Sequence, residues 1–523
     1  MKVPWQVNLR SAARECPEAV AIEFTGQAVT YHELDDAACR IAAGLQARPL
    51  PPNAVVGIML PNIPQFPSIA YGAFYSGCVV TPMSVLLTPR ELRHVLCDSA
   101  VAVLFVHAQY LHTVEQAVDG LVPAPEIVVL GGAAGTHTAF SEFPGPARAA
   151  VFAPIPSDRH MLTLYTSGTT GPSKGVMISD SNMCAQIDML GSAFQPQAGA
   201  RALCVLPLFH AYALNAMMSM AIRYRGTVVL QERFDVEACA ESLARDRIEW
   251  FAGVPTMYAL LLEFAKTRSD LSFPDLEVCL TGGAPMNRQI LDGFERRFQV
   301  AILEGYGLTE TTVSVCSNAP SAANRRVGSV GRPYAGVACK VIDEQGQALS
   351  PGETGELLFQ GGNLMLGYLN RPEETAQVLR DGWLHSGDLG FLDEDGFCFI
   401  VGRKKDLIIK SGYNIVPLEV EEAIRQADLV KDVYVVGIPD AVRGERILAA
   451  VILRRAADEA EARCQIARTV EALLAKNKHP NEICFVDGFP LGPSGKVLKT
   501  AIRQAWLHAA RTEKENDVAC IDA

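Results

Sequence analysis

Residues 165–175 read YTSGTTGPSKG. Eight of the eleven are Gly, Ser or Thr, beside one proline and one lysine. Glycines let successive backbone N–H groups converge, hydroxyls add donors, and Lys174 adds a charge. Such a nest suits phosphate. It is not the nucleotide loop of the form G-x-x-x-x-G-K-[ST], which needs Lys directly after Gly and Ser/Thr directly after Lys. Here Lys174 lies between Ser173 and Gly175. MLTLY before the loop and GVMIS after it both alternate as strands, so the sequence predicts a glycine-rich hairpin and not a loop feeding a helix. A solvated turn has the same composition, and the loop alone does not decide between the two.

Four other stretches carry chemistry. LEGYGLTETT (303–312) sets a tyrosine, two glycines, three threonines and Glu310 in a short row. GWLHSGDLG (382–390) places Asp388 after Ser-Gly, and Arg403 follows fifteen residues later. LPLFHAYAL (206–214) puts His210 at the end of a strand, and PLGPSGKVLK (490–499) puts Lys496 in a glycine turn. Read singly, each has a plain structural explanation: Glu310 as an acid at a helix start, Asp388 as a turn residue, Lys496 as a solvated lysine.

Together and in this order, the five stretches resemble the adenylate-forming superfamily: acyl-CoA synthetases, firefly-type luciferases and the adenylation domains of peptide synthetases. The resemblance runs from VTYHELDDAACRIAAGL (29–45) to Lys499, nearly the whole chain, and is strongest toward fatty-acid–CoA ligases. One departure is that the proline of the loop, Pro172, stands one place before its usual position, which Ser173 fills.

The resemblance implies two steps. A carboxylate attacks the α-phosphorus of ATP, giving acyl-AMP and pyrophosphate, and a thiol then displaces AMP. The implied roles follow residue by residue. Thr166, Ser167, Gly168, Thr169, Thr170, Gly171 and Lys174 hold the β- and γ-phosphates. Glu310 binds Mg²⁺, with Thr166 close by, since a hard cation takes such oxygens. Tyr306 stacks on adenine opposite Gly282, Gly283, Ala284 and Pro285, within a nucleotide site that includes Glu304, Gly305, Gly307 and Thr309. Asp388, an acceptor-only carboxylate, suits the ribose diol, and Arg403 adds a contact to ribose or phosphate. Lys496 neutralises charge on the transferring phosphate and is the catalytic residue of the first step, with Glu310 and His210 beside it. Lys405 is the hinge about which the C-terminal domain turns between steps. Lys410, Ser411 and Gly412 line the passage for phosphopantetheine. The implied cofactors are ATP, Mg²⁺ and coenzyme A, or the phosphopantetheine of an acyl-carrier protein.

For the acid, His210 stands where amino-acid-activating relatives carry an Asp for the α-ammonium, so amino acids are disfavoured. His210 as a buried structural histidine remains open. Ala211, Tyr212, Leu214 and Met217 continue the pocket, with Phe251, Gly253, Thr281 and Gly282 opposite. Small residues leave depth and methionine adapts to flexible chains. A medium- or long-chain fatty acid is favoured. An aryl acid is the substrate alternative, a carrier protein the acceptor alternative, and a luciferase-like oxygenase a third reading that no residue here supports.

The elements that must position these groups are legible as patterns. AVVGIML (54–60), VAVLFV (101–106), EIVVLGG (126–132), RALCVLPL and GTVVL are short apolar runs separated by helical stretches. They predict parallel sheets covered by helices. From about residue 325 short strands and glycine turns predict a small barrel-like part. After it, DVYVVGIPD, ILAAVILRR, a helix near 456–476 and EICFVDGFP make an α+β unit. The expected fold is therefore α/β. A large N-terminal domain (1–404) holds two parallel-sheet subdomains and the barrel-like part (about 325–403), and a small mobile α+β domain (405–523) follows.

With 523 residues the chain is too long for one core. Its net charge of −12 and lack of a basic run argue against nucleic acid and anionic membranes as partners. The N-terminus shows no apolar signal core, no stretch approaches a membrane span, and fourteen scattered cysteines contain no C-x-x-C pair. The expected compartment is the cytoplasm.

Overall fold

The computed structural model describes residues 4–146, 152, 156–166, 172–440, 442–454, 458–490 and 497–519. The chain divides into two compact units. One comprises Met1–Cys339, Phe359–Leu384 and Gly396–Cys398; the other comprises Lys340–Leu358, His385–Asp395 and Phe399–Ala523.

The first unit holds two large sheets. In one, eight strands run in the order Gly367–Tyr368, Lys174–Ser179, His160–Thr166, Val79–Pro82, Val55–Met59, Val101–His107, Glu126–Leu130, Thr138–Ala139. From His160–Thr166 to Thr138–Ala139 the neighbours are parallel. Val101–His107 is buried along nearly its whole length, as a strand covered on both faces must be. The other sheet has nine strands, in the order Arg332–Pro333, Cys316–Ser317, Ile302–Tyr306, Val278–Thr281, Trp250–Gly253, Arg201–Cys204, Thr227–Leu230, Val20–Phe24, Gln27–Thr30. Its six inner strands are parallel and its edges antiparallel.

The alternation of these strands feeds two cores. Ala202, Cys204, Trp250, Ala252, Val278 and Leu280 belong to one, and Leu203, Val205, Phe251 and Cys279 to the other. Several helices start where the sequence says they should. Tyr31–Gln46 and Pro89–Asp98 each open with a capping box, Thr30 with Glu33 and Thr88 with Glu91.

A third sheet, of five strands, orders Val337–Ile342, Gly355–Gly361, Trp383–Leu392 and Leu379–Arg380, with Cys398–Arg403 paired to Trp383–Leu392. It is the strand-rich part expected after residue 325. In the second unit the order is Tyr413–Ile415, Ile408–Lys410, Gly444–Leu453, Val430–Asp440, with Glu482–Phe485 parallel to Gly444–Leu453. Pro417–Arg425 and Glu459–Leu473 pack on this sheet around a core of Ile408, Val433, Val435, Ile447, Ile466 and Val470. Among the described residues no helix is long and apolar enough to cross a membrane. The architecture is α/β with two parallel-sheet parts, a small strand-rich part and an α+β C-terminal part.

Candidate active site

Three parallel strands of the nine-stranded sheet end in register: Gly253 opposite Thr281, and Thr281 opposite Glu304. Their carboxyl ends form the edge where open α/β sheets place ligands. Residues 282–285 follow one strand here and residues 307–312 follow the next. A Cβ at Gly282 would lie 3.2 Å from the Gly305 carbonyl oxygen and 3.9 Å from Tyr212 Cε1. The expected adenine wall, the Tyr306 turn and the expected acyl pocket therefore meet at one place.

The turn after Tyr306 is tight. Val315 N–H and the Ser314 hydroxyl both donate to the Tyr306 carbonyl, at 2.9 and 3.1 Å. The Tyr306 ring lies 5.8 Å from that of Phe359. Glu310 sits on the single 3₁₀ turn Thr309–Thr311. Thr312 follows at φ 65°, a left-handed conformation that a β-branched residue adopts only under constraint. The constraint is a buried amide network. Asn215 donates to the Thr312 carbonyl at 2.7 Å, and the Thr312 hydroxyl donates to the Asn363 carbonyl at 2.7 Å. Asn363 donates to Gln186 Oε1, Thr311 O and Ser314 O at 3.0, 3.1 and 2.9 Å. Nothing in the sequence marks Gln186, Asn215 and Asn363 as partners, because they lie far apart along the chain.

The hairpin exists as expected. His160–Thr166 pairs antiparallel with Lys174–Ser179, and Thr166 and Lys174 form its last pair. Ser167, Gly168, Thr169, Thr170 and Gly171 lie outside the described residues, as does Lys496. At the hairpin mouth the Lys174 ammonium pairs with Glu374 and stands 5.0 Å from the centre of the Tyr368 ring. Arg371 also donates to Glu374, at 3.0 Å. Lys174 first, then Arg371, hold the Glu374 carboxyl below the usual range. The Tyr368 hydroxyl donates to Glu310 Oε1 at 2.8 Å. Tyr368 and Glu374 are site neighbours that motif reading missed; the GY and PEET segments that carry them hold no residue type pointing to phosphate.

The segment after His210 forms a π-helix, Tyr212–Met218, a rare form found at functional sites. Tyr212 N–H donates to His210 Nδ1 at 3.4 Å, which sets the ring against the start of this turn. Ala211, Leu214 and Met217 are buried. Met217 borders a cavity of about 20 Å³ together with Ala202, Met220, Tyr224 and Trp250. Trp250 and Tyr224 were not expected there. Phe251 points to the opposite face, against Tyr258 at 5.4 Å, in the second core.

In the second unit, Arg403 Nε and Asp388 Oδ1 are 2.8 Å apart, and Asp388 is 2% exposed. Ser386 fixes the turn, accepting from Asp388 N–H at 3.0 Å and donating to the Leu357 carbonyl at 2.6 Å. Lys405 sits in the 3₁₀ turn Lys404–Asp406. Lys410 is buried and donates to the His479 carbonyl at 3.2 Å, while Ser411 and Gly412 turn the chain at φ 52° and 83°.

Glu304 titrates unusually. Burial pushes its carboxyl up to about 7, against the opposing help of the Gly328 N–H and Arg325. The folded protein then keeps this proton up to about pH 7, while the unfolded chain releases it above its ordinary 4.5. The native state binds more protons in that window, so stability falls as pH rises from about 4.5 to 7. Thermal denaturation between pH 5 and 8 should show this slope, and Glu304→Gln should flatten it.

The donor set fits ATP with a hard cation. Among the described residues no cluster of three His, Cys, Asp or Glu side chains makes a protein-only metal cage. Mg²⁺ needs none, since it is held by one or two protein oxygens plus substrate phosphates. Glu310 offers a carboxylate oriented by a phenol, Thr166 a hydroxyl oxygen, and Lys174 a charge for phosphate.

Two family matches cover most of the chain: "AMP-binding enzyme" over residues 9–369 and "AMP-binding enzyme C-terminal domain" over residues 419–496. A long-chain-fatty-acid–CoA ligase from Bacillus subtilis is 33% identical, with 94% of this chain and 93% of that protein covered. A feruloyl-CoA synthase from Amycolatopsis is 34% identical, with 94% and 97% covered. The solved structure of o-succinylbenzoate coenzyme A synthetase from Bacillus subtilis, in complex with ATP and magnesium ion, is 27% identical and superposes with a TM-score of 0.81 over 95% of this chain and 98% of that one. The chain belongs to the AMP-binding enzyme family, the adenylate-forming superfamily of acid–thiol ligases.

Proposed function

We propose that this protein activates a hydrophobic carboxylic acid as its acyl-adenylate and passes the acyl group to the thiol of coenzyme A. The observation that carries the reading is the placement of Lys174 and Glu310 on either side of Tyr368, at the mouth of the Thr166–Lys174 hairpin. Lys174 and Glu310, each in contact with Tyr368, suit a triphosphate and its magnesium, with phosphate taking Lys174 from its resting partner Glu374.

In the first step a carboxylate oxygen bonds to the α-phosphorus, and the bond from that phosphorus to the bridging oxygen breaks, releasing pyrophosphate. Lys174 and the hairpin donors hold the β- and γ-phosphates. Glu310 and Thr166 would hold Mg²⁺, which offsets phosphate charge. Tyr306 and residues 282–285 hold adenine, Asp388 and Arg403 the ribose end, and Lys496 the reacting phosphate. In the second step the thiol sulfur attacks the acyl carbon and AMP leaves. Lys405 is the hinge between domains 1–404 and 405–523, and residues 410–412 line the thiol's approach.

The fatty-acid reading rests on the apolar wall of Ala211, Tyr212, Leu214 and Met217, with His210 at its rim. The B. subtilis relative named for long-chain acids supports it. An aryl acid is the second reading, supported by the feruloyl relative and by the placement of Tyr212 beside Gly282. ATP–pyrophosphate exchange over a panel of fatty, aryl and amino acids decides between them, followed by thioester detection with coenzyme A and with carrier protein. AMP and pyrophosphate are the expected products. ADP and phosphate would mean attack at the γ-phosphorus and refute the reading.

Met217→Ala extends the small cavity beside Trp250. The chain-length optimum in the exchange assay should move to longer acids, with stability lower by about 2–5 kcal/mol from the lost packing. An unchanged optimum would place the tail elsewhere.

A further inference from the structure

Tyr368 stands between two groups assigned to the triphosphate, and its own position is closely determined. It lies on the short strand Gly367–Tyr368, opposite Val176 of the hairpin's outgoing strand. Its N–H donates to the Thr375 hydroxyl at 2.9 Å, and that hydroxyl donates to the Arg371 carbonyl at 2.8 Å. The residue is 7% exposed. From this fixed base the side chain makes two different contacts. The ring presents its π-face to the Lys174 ammonium, 5.0 Å from the centroid. The hydroxyl donates to Glu310 Oε1 at 2.8 Å. A phenol that takes one carboxylate oxygen leaves the other free for a cation and fixes the plane in which it is offered, as the outer partners of metal ligands do.

The backbone on both sides supports the same arrangement. Met365 N–H donates to the Glu310 carbonyl at 2.9 Å, and Leu369 N–H to the Gly175 carbonyl at 2.7 Å. The segment 365–369 thus grips the Glu310 turn at one end and the hairpin at the other, and Tyr368 is its side chain that reaches both functional groups.

We propose that Tyr368 is a positioning residue that orients the Glu310 carboxylate and, together with the Glu374 carboxylate that pairs with it directly, places the Lys174 ammonium, so that a divalent cation and a triphosphate would engage both groups at once. This rests on the reading of Glu310 as the acid that binds magnesium. On this proposal Tyr368 acts through its two neighbours, and its two contacts are separable by substitution. Tyr368→Phe removes the hydroxyl and keeps the ring. Tyr368→Leu removes both.

The test is calorimetric titration of ATP into the parent and variants over a series of free Mg²⁺ concentrations, and in EDTA, with thermal denaturation as the check on folding. Tyr368→Phe should raise the Mg²⁺ concentration for half-maximal tightening of ATP by about 10-fold, the usual loss when an outer partner of a metal ligand is removed. Its affinity for ATP in EDTA should not change. Tyr368→Leu should also weaken ATP in EDTA, by about 2–5-fold, through the lost ring face for Lys174. Glu310→Gln separates the two levels of the argument. If Glu310→Gln raises the Mg²⁺ requirement and Tyr368→Phe does not, the positioning proposal is wrong and the reading of Glu310 stands. If Glu310→Gln leaves the requirement unchanged, the reading of Glu310 fails and the proposal fails with it. A lower melting temperature in Tyr368→Phe with an unaltered Mg²⁺ dependence shows a merely structural role and also overturns it.

Discussion

Lys496→Ala should lower ATP–pyrophosphate exchange by about 10²–10³-fold, the usual loss on removing one electrostatic contact to a transition state. Thioester formation from chemically prepared acyl-AMP should stay near the parent rate. The reason lies in the division of labour between the steps. On the proposed alternation of domains, Lys496 has left the phosphate before the second step, so the charge that AMP takes up as it departs is not one this lysine stabilises. The ends of its segment are well anchored. Leu498 N–H donates to the Pro490 carbonyl at 2.9 Å, and Phe489 packs on Tyr434 at 4.8 Å. Gly412→Leu should show the opposite pattern, losing thioester formation and keeping exchange. No atom lies within 4 Å of a Cβ at 412, but its φ of +83° strains any L side chain there. The variant thus changes both the shape of the turn and the space a thiol arm would use. Running both half-reactions on both variants is the measurement. Equal loss of the two half-reactions in a folded Lys496→Ala protein would contradict the alternation of domains.

Gly307→Ala should lower exchange by about 10²-fold, the cost of misplacing reacting groups by roughly 1 Å. A Cβ at this position would lie 2.1 Å from the Val313 carbonyl oxygen and 2.4 Å from Ser314 Cα. Both are backbone atoms, so no rotamer change relieves the clash and the 307–314 turn must shift. That turn carries Glu310, and its first residues follow Tyr306 directly. The overpacking should also cost about 1–3 kcal/mol of stability, visible as a lower melting temperature. Gly305→Ala is the comparison. Its Cβ would meet the Cys316 carbonyl at 3.4 Å, a contact that small adjustments absorb. If Gly305→Ala proves as damaging as Gly307→Ala, sterics are not what requires glycine at 307.

The sequence made the strands legible because burial on both faces leaves apolar runs with few alternatives. Val101–His107 and Glu126–Leu130 were read almost to their ends for that reason. The hairpin was legible from alternation on both sides of a glycine loop, with strands read to Tyr165 and from Gly175; the structure carries the pairing one residue further, to Thr166 with Lys174. The π-helix at Tyr212–Met218 was not, since its composition is that of any apolar stretch. The face that Phe251 presents was not legible, because an apolar run gives no sign of which alternate residues face which core: Phe251 packs in the second core, and Trp250 lines the small cavity beside Met217. The tyrosine that holds Glu310 was invisible for another reason. Tyr368 is 58 residues away, and only the pairing of Gly367–Tyr368 with the hairpin brings it there.

The distribution of thiols has a practical consequence. Burial pushes up the thiols of the half-buried Cys16, Cys184 and Cys484 and of the buried Cys78, Cys204, Cys239 and Cys279. Protonated and shielded thiols react slowly with alkylating dyes. Among the described residues only Cys97 and Cys464 are exposed, one in each of the two units. The chain thus carries a native pair of attachment points for a donor and an acceptor fluorophore, with Cys520→Ser removing the thiol of the terminal segment. Single-molecule energy transfer on such a protein would follow, turnover by turnover, whether the distance between the two dyes takes one value with ATP and acid bound and another once the thiol arrives.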